Sequence, residues 1–124
     1  MSQVKQFLNL AREELETAEL LLENDRYRAC ISRSYYAMYH ATQGLLLSEG
    51  LSSRTHKGMI KLFGQHFVKT GKLSTDLARA LGDVYDLRRL SDYDETFLLN
   101  REQTRSIVES ARMFIREASG LLNP

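Results

Sequence analysis

Proline is almost absent from this chain. Pro124 is the only one, and glycine occurs seven times in 124 residues. All-β domains need denser turn punctuation than this. Cysteine is equally scarce. Cys30 stands alone, which excludes an internal disulfide framework, and it reads as a small buried apolar side chain. No run of about 20 apolar residues exists, so no membrane-spanning helix and no membrane partner are expected. Met1 to Arg12 lacks the uninterrupted apolar stretch of a secretory signal, and a cytoplasmic location is the expectation. An excess of one charge is also missing. Seventeen Lys and Arg oppose sixteen Asp and Glu, for a net of +1. That balance is far from a dedicated nucleic-acid binder and from a disordered polyelectrolyte. The glycine-rich phosphate loops and the His-Glu-x-x-His metal signature do not occur. His40, His56 and His66 show no metal-ligand spacing, and Asp92, Asp94 and Glu95 read as a solvated loop. Neither a metal nor a cofactor is expected.

What remains is helix-forming. Ala, Leu, Glu and Arg dominate, and β-branched residues are few. The length suits one domain, here residues 1–124. Periodicity predicts five helices. The first covers about Val4 to Glu23, with Leu8, Ala11, Leu15, Ala18 and Leu22 on one stripe. The second covers Arg26 to Glu49, with Asp25 as its N-cap and Gly50 as a left-handed stop. The third runs from His56 to Lys69 and ends at Gly71. The fourth runs from Thr75 to Leu90 after a Ser74 cap. The fifth runs from Arg101 to Leu122, with Asn100 and Gln103 placed as a capping box. Its stripe is Thr104, Ile107, Val108, Ala111, Phe114, Ile115, Ala118 and Leu122. Most linkers are short, so neighbours should be antiparallel. The predicted fold is all-α: an antiparallel up-and-down helical bundle of four main helices plus a shorter one.

The second helix carries two weakly polar faces. Advancing about 100° per residue, Tyr27, Ile31, Ser34, Tyr35, Met38, Ala41, Thr42 and Leu45 share one face, the expected core. Ala29, Arg33, Tyr36, Ala37, His40, Gly44 and Leu47 lie roughly opposite. A helix that is apolar nearly all round is buried on both sides. The second side must meet another helix of the chain or a second subunit, and Ala29, Ala37 and Gly44 would permit close approach. A homodimer through this helix is expected. Arg33 and His40 lie on that face, about 20° apart around the axis and about 10 Å along it. A buried charge needs a partner or a ligand. Arg33 could pair with a carboxylate such as Asp86, with His40 bonded within the core, or both could serve a site.

The segment Ile-Ser-Arg-Ser-Tyr-Tyr-Ala-Met-Tyr-His-Ala (31–41), in which six residues separate Arg33 from His40, resembles the Arg-x(4–6)-His motif of the HEPN superfamily. Thr55-His56-Lys57-Gly58, Phe63 to Gly71, and Arg89-x-x-Asp92-Tyr93 resemble a small prokaryotic branch of it. The resemblance spans about residues 5–122. It implies a helical bundle that commonly dimerises, with Arg33 and His40 of both subunits facing one composite cleft. It implies either a metal-independent ribonuclease, often a toxin, or a non-catalytic nucleotide-binding or partner-binding module paired with a small nucleotidyltransferase antitoxin. The chain itself lacks that enzyme's Gly-Ser strand and acidic pair. It departs from the motif at Ser34, where active members often carry Asn, Asp or His, and the helical wheel turns Ser34 toward the core.

The residue types suit RNA. The 2′-OH is a built-in nucleophile, so cleavage needs a base, an acid and positive charge at phosphorus. Histidine titrates nearest neutral pH, and the arginine fork matches phosphate oxygens. Tyr36 or Tyr39 could orient a phosphate or stack on a base, or simply pack. Charge is uneven along the chain. Residues 1–25 hold six acids and two bases, a net of −4. Residues 50–75 hold Arg54, Lys57, Lys61, Lys69 and Lys72 with no acid, a net of +5. Arg54, Lys57 and Lys61 are therefore candidate backbone contacts for RNA or a nucleotide, or a solvated face.

Overall fold

The computed structural model describes residues 2–122; Met1, Asn123 and Pro124 lie outside the described residues. Five α-helices follow one another: α1 (Ser2–Glu23), α2 (Tyr27–Ser48), α3 (His56–Phe63), α4 (Thr75–Tyr93) and α5 (Arg101–Leu122). The molecule is the expected antiparallel up-and-down bundle, four long helices with a short α3. Among the described residues no helix is long and apolar enough to cross a membrane.

Helix α2 is the central element and packs against all four others. Ile31, Tyr35, Met38, Ala41 and Leu45 are buried, as their shared face requires. The α1 stripe delivers Leu8, Ala11 and Ala18 to the core, and α5 delivers Ile107, Val108, Ala111, Phe114, Ile115 and Ala118. Phe114 and Phe63 are fully buried, with ring centroids 5.3 Å apart, and Phe67 stacks on Phe63 at 6.0 Å. Such aromatic pairs add to the hydrophobic gain from burial alone. Cys30 is buried, and its Sγ donates to the Ala18 carbonyl oxygen at 3.2 Å.

The caps show why the helices stop where they do. Gly50 has φ +71°, and Leu51 N–H bonds the Leu46 carbonyl at 2.8 Å while Gly50 N–H bonds Leu47 at 2.9 Å. This is the paired closure that a left-handed glycine allows. At α5, Asn100 N–H donates to Gln103 Oε1 at 3.0 Å and Gln103 N–H donates to Asn100 Oδ1 at 2.8 Å, completing the predicted capping box. Helix α3 is capped by Thr55, whose Oγ1 accepts from Gly58 N–H at 2.9 Å. It continues into a wider π-helical turn over Gly64–Val68 before Gly71, at φ +79°, turns the chain.

Three local expectations are corrected. Asp25 does not cap α2. Arg26 holds the N-cap position without a side-chain bond, and Asp25 adopts φ +59° to reverse the chain in a turn of three residues. Aspartate tolerates that left-handed state, and its carboxylate instead accepts from Tyr27 at 3.0 Å and Arg101 at 2.7 Å. Ser74 occupies the N-cap of α4 but makes no side-chain bond. Helix α4 runs three residues past Leu90. Arg88 pairs with Asp92 one turn on, and Arg28 of α2 donates to the Ser91 carbonyl. The irregular segment therefore begins at Asp94. It is tied to α2 by Arg28, which donates to the carbonyls of Glu95 at 3.2 Å and Phe97 at 2.9 Å.

Candidate functional site

The second face of α2 is covered mainly by α1 of the same chain. Ala37 is fully buried. A Cβ placed on Gly44 would lie 3.3 Å from Phe7 Cβ, so that glycine serves the α1–α2 contact. Ala29 is exposed. Ala37 and Gly44 are thus not a surface for a second subunit, contrary to the sequence expectation. The single stripe on α1 finds its seat there instead. The polar part of the face, Arg33, Tyr36 and His40, stays partly exposed along the edge of α1.

Glu14 of α1 joins the two motif residues. Arg33 Nη1 donates to both carboxylate oxygens of Glu14 at 2.9 Å. His40 Nε2 lies 3.9 Å from Glu14 Oε2, and His40 Nδ1 lies 3.3 Å from Gln43 Oε1. Asp86, the carboxylate considered for Arg33, is exposed on α4. The Arg33 side chain keeps 37% of its exposure, while Glu14 and His40 keep 19% each. The arginine is thus held without being sealed away. Ser34 is buried with its Oγ unpaired, and so faces the core as predicted.

Aromatic rings extend the site away from α1. Tyr36 lies between two guanidinium groups, Arg33 at 5.2 Å and Arg88 at 5.1 Å from its centroid. Tyr39 accepts from Gln43 Nε2 at 3.1 Å. The N-terminal residue of α3, His56, sits among Tyr35, Tyr36, Tyr39 and Tyr85, with centroids 5.0–6.3 Å away. Its Nδ1 is 2.6 Å from the Tyr35 hydroxyl. Burial pushes the Tyr35 phenol well above its ordinary pKa, so it stays protonated. Burial first, and then the Arg88 charge, push the His56 imidazole below its usual value. This hydrogen bond therefore joins two neutral groups, and its direction follows the imidazole tautomer.

Arg88 is the pivot of this side. Its Nε lies 3.1 Å from Asp92 Oδ2, off the N–H direction, so the contact is an ion pair without a hydrogen bond. Beyond it a cleft of about 310 Å³ is bounded by His56, Lys57, Arg89 and Tyr93. Of the candidate contacts, Tyr36, Tyr39 and Lys57 come to this cluster. Arg54 and Lys61 are exposed, and among the described residues no hydrogen bond or ion pair ties either of them to it. Sequence reasoning missed Glu14, Tyr85 and Arg88, placed Tyr35 on the core face, and gave His56 no role beyond its place in the 55–58 segment. The available signal was the convergence of the 55–58 and 89–93 segments, which meet here. A second cavity of about 350 Å³, walled by Phe7, Leu10, Leu46 and Leu47, touches the cluster only at Gln43 and holds no ionisable group.

The HEPN domain family model matches residues 4–121. A Methanocaldococcus jannaschii protein named “Putative toxin” is 35% identical over 91% of this chain and 84% of its own length. A UPF0332 protein of Thermotoga maritima is 35% identical over 85% of this chain and 80% of its own length. A crystal structure of a Thermus thermophilus protein superposes with a TM-score of 0.81 at 17% identity, covering 98% of this chain and 99% of that one. The last match bears on the fold alone.

Proposed function

The chain belongs to the HEPN domain family, and from that premise we propose that it is a toxin-type, metal-independent endoribonuclease in which Arg33 and His40 act on the scissile phosphate. The observation that carries this reading is their shared setting. Both stand on one edge of α2, partly exposed, beside one carboxylate: Glu14 accepts from Arg33 at 2.9 Å and lies 3.9 Å from His40 Nε2. The toxin reading takes its support from the name of the Methanocaldococcus relative.

The chemistry uses the substrate's own nucleophile. An imidazole takes the proton of the 2′-OH, and the 2′-oxygen attacks phosphorus. The P–O5′ bond breaks, and a second acid protonates the departing 5′-oxygen. The products are a 2′,3′-cyclic phosphate and a 5′-hydroxyl end. Arg33 neutralises the charge that gathers on the phosphorane oxygens. One His40 cannot be base and acid in the same instant. A homodimer that brings two α2 edges together supplies the second imidazole. Acting on cellular RNA, the protein would work in the cytoplasm, with a small nucleotidyltransferase as its antitoxin.

The test is RNA cleavage in EDTA by wild type, Arg33→Ala and His40→Ala, with the molar mass in solution measured alongside. Wild type should cleave to a cyclic phosphate as a dimer. His40→Ala should lose about 10²- to 10⁴-fold in rate. Unchanged cleavage by His40→Ala overturns the assignment. One observation favours a second reading: both oxygens of Glu14 already occupy Arg33. A non-catalytic module that binds a nucleotide or the nucleotidyltransferase would keep that pair closed. A folded wild type that cleaves nothing selects this reading.

A further inference from the structure

The cleft beside Arg88 has a composition that the Arg33–His40 chemistry does not use. Three features set it apart. Lys57 and Arg89 are exposed and make no ion pair among the described residues. The one acid on its wall, Asp92, is already paired with Arg88. Tyr93 closes α4 with 81% of its surface exposed. The last feature is unusual, because a large aromatic ring left in water contributes nothing to the core. His56 lines the same wall, its Nδ1 bonded to Tyr35.

We infer that this cleft is a nucleotide subsite, in which Tyr93 stacks on a base while Lys57 and Arg89 take the adjoining phosphate. Cations beside a ring that is free to stack are the working parts of single-strand recognition. The volume, about 310 Å³, falls at the small end of ligand clefts, about 300–1,000 Å³, and suits one nucleotide unit. An acidic peptide or a free phosphate would use the cations and leave the ring idle. The row Arg88–Tyr36–Arg33 leads from the cleft to the motif residues. A strand seated here therefore passes on toward Arg33 and His40. That last step rests on the ribonuclease reading; binding in the cleft does not.

The test is a titration of the full, isotopically labelled chain with adenosine monophosphate, followed by backbone amide shifts, with inorganic phosphate and adenosine as separate arms. The monophosphate should move the amides of Lys57, Tyr85, Arg89 and Tyr93 and saturate. Tyr93→Ala, at an exposed position, should weaken it roughly 5- to 150-fold, the range of one lost stacking contact. Arg89→Gln should weaken it as well. RNA cleavage by wild type with no monophosphate shifts in the cleft overturns the subsite and leaves the ribonuclease standing. Cleft shifts without any cleavage do the reverse. Equal affinity for inorganic phosphate, with Tyr93→Ala unchanged, also overturns it, because the site would then read no base.

Discussion

Glu14→Gln should lower stability and strengthen RNA binding together. The substitution keeps the shape of the side chain and removes the charge that holds Arg33 Nη1 through two contacts of 2.9 Å. The pair is partly open to water, with Arg33 at 37% and Glu14 at 19% exposure. Its worth therefore falls near the range of exposed pairs, about 0.2–1 kcal/mol, rather than the roughly 3–5 kcal/mol lost when a sealed pair is broken. For a domain of this length, about 1 kcal/mol shifts the melting midpoint by about 3–5 °C, so a fall of about 1–5 °C is expected by calorimetry. Arg33 is then free for a phosphate. One added contact steepens the dependence of log affinity on log salt by about 0.7 for a single strand. Fluorescence anisotropy of a labelled oligoribonucleotide across a salt series measures that slope. Generic damage lowers both quantities, and only a carboxylate acting as a counterweight moves them in opposite directions. Unchanged melting with an unchanged slope would show that Glu14 does not hold Arg33. Lower melting with weaker binding would show that Glu14 builds the site instead of restraining it.

The core and the pH dependence supply two more checks. Phe114 is fully buried against Phe63, so Phe114→Ala should reduce the free energy of urea unfolding by roughly 3–5 kcal/mol; a loss under about 1 kcal/mol would contradict the packing. His56 has a folded-state pKa below its ordinary 6.5, because burial and Arg88 disfavour its charged form. Below pH 6.5 the unfolded chain therefore binds the extra proton first, and stability falls as the pH drops toward the folded-state value. His56→Gln should flatten that part of the melting profile. Parallel profiles for variant and wild type would count against the buried neutral imidazole.

The helices were readable because each signal was local. The Asn100–Gln103 box, Gly50, Gly71 and the stripes of α1 and α5 depend on residues within a turn or two. Asp25 misled because aspartate serves an N-cap and a left-handed turn equally well, and the tightness of the turn decided between them. The end of α4 misled because its stabilising partner, Arg28, lies 63 residues away. The α2 edge was half legible. Two weakly polar faces were evident, but an amphipathic pattern does not say what covers each face. Helix α1 took most of the second one and brought Glu14, an acid beside its apolar stripe, against Arg33. The setting of His56 was invisible for a stronger reason. Its four tyrosines and Arg88 come from two helices that are distant in sequence, and only their packing makes a lone histidine part of a cluster.

Gly44 also bears on how the bundle holds together at its ends. The Cβ position on that residue lies 3.6 Å from the Val4 carbonyl and 3.9 Å from Leu122 Cδ1. The start of α1 and the finish of α5 thus share one seat on α2. Helix ends ordinarily fray independently. Here each end is a wall for the other, and loosening either exposes its neighbour. Close by, Arg12 donates to Ser119 at 3.0 Å across 107 residues of chain, so the α1–α5 contact closes a long loop at a large entropic cost. The final turn of α5 and the first of α1 should open as one cooperative unit rather than as two loose tails.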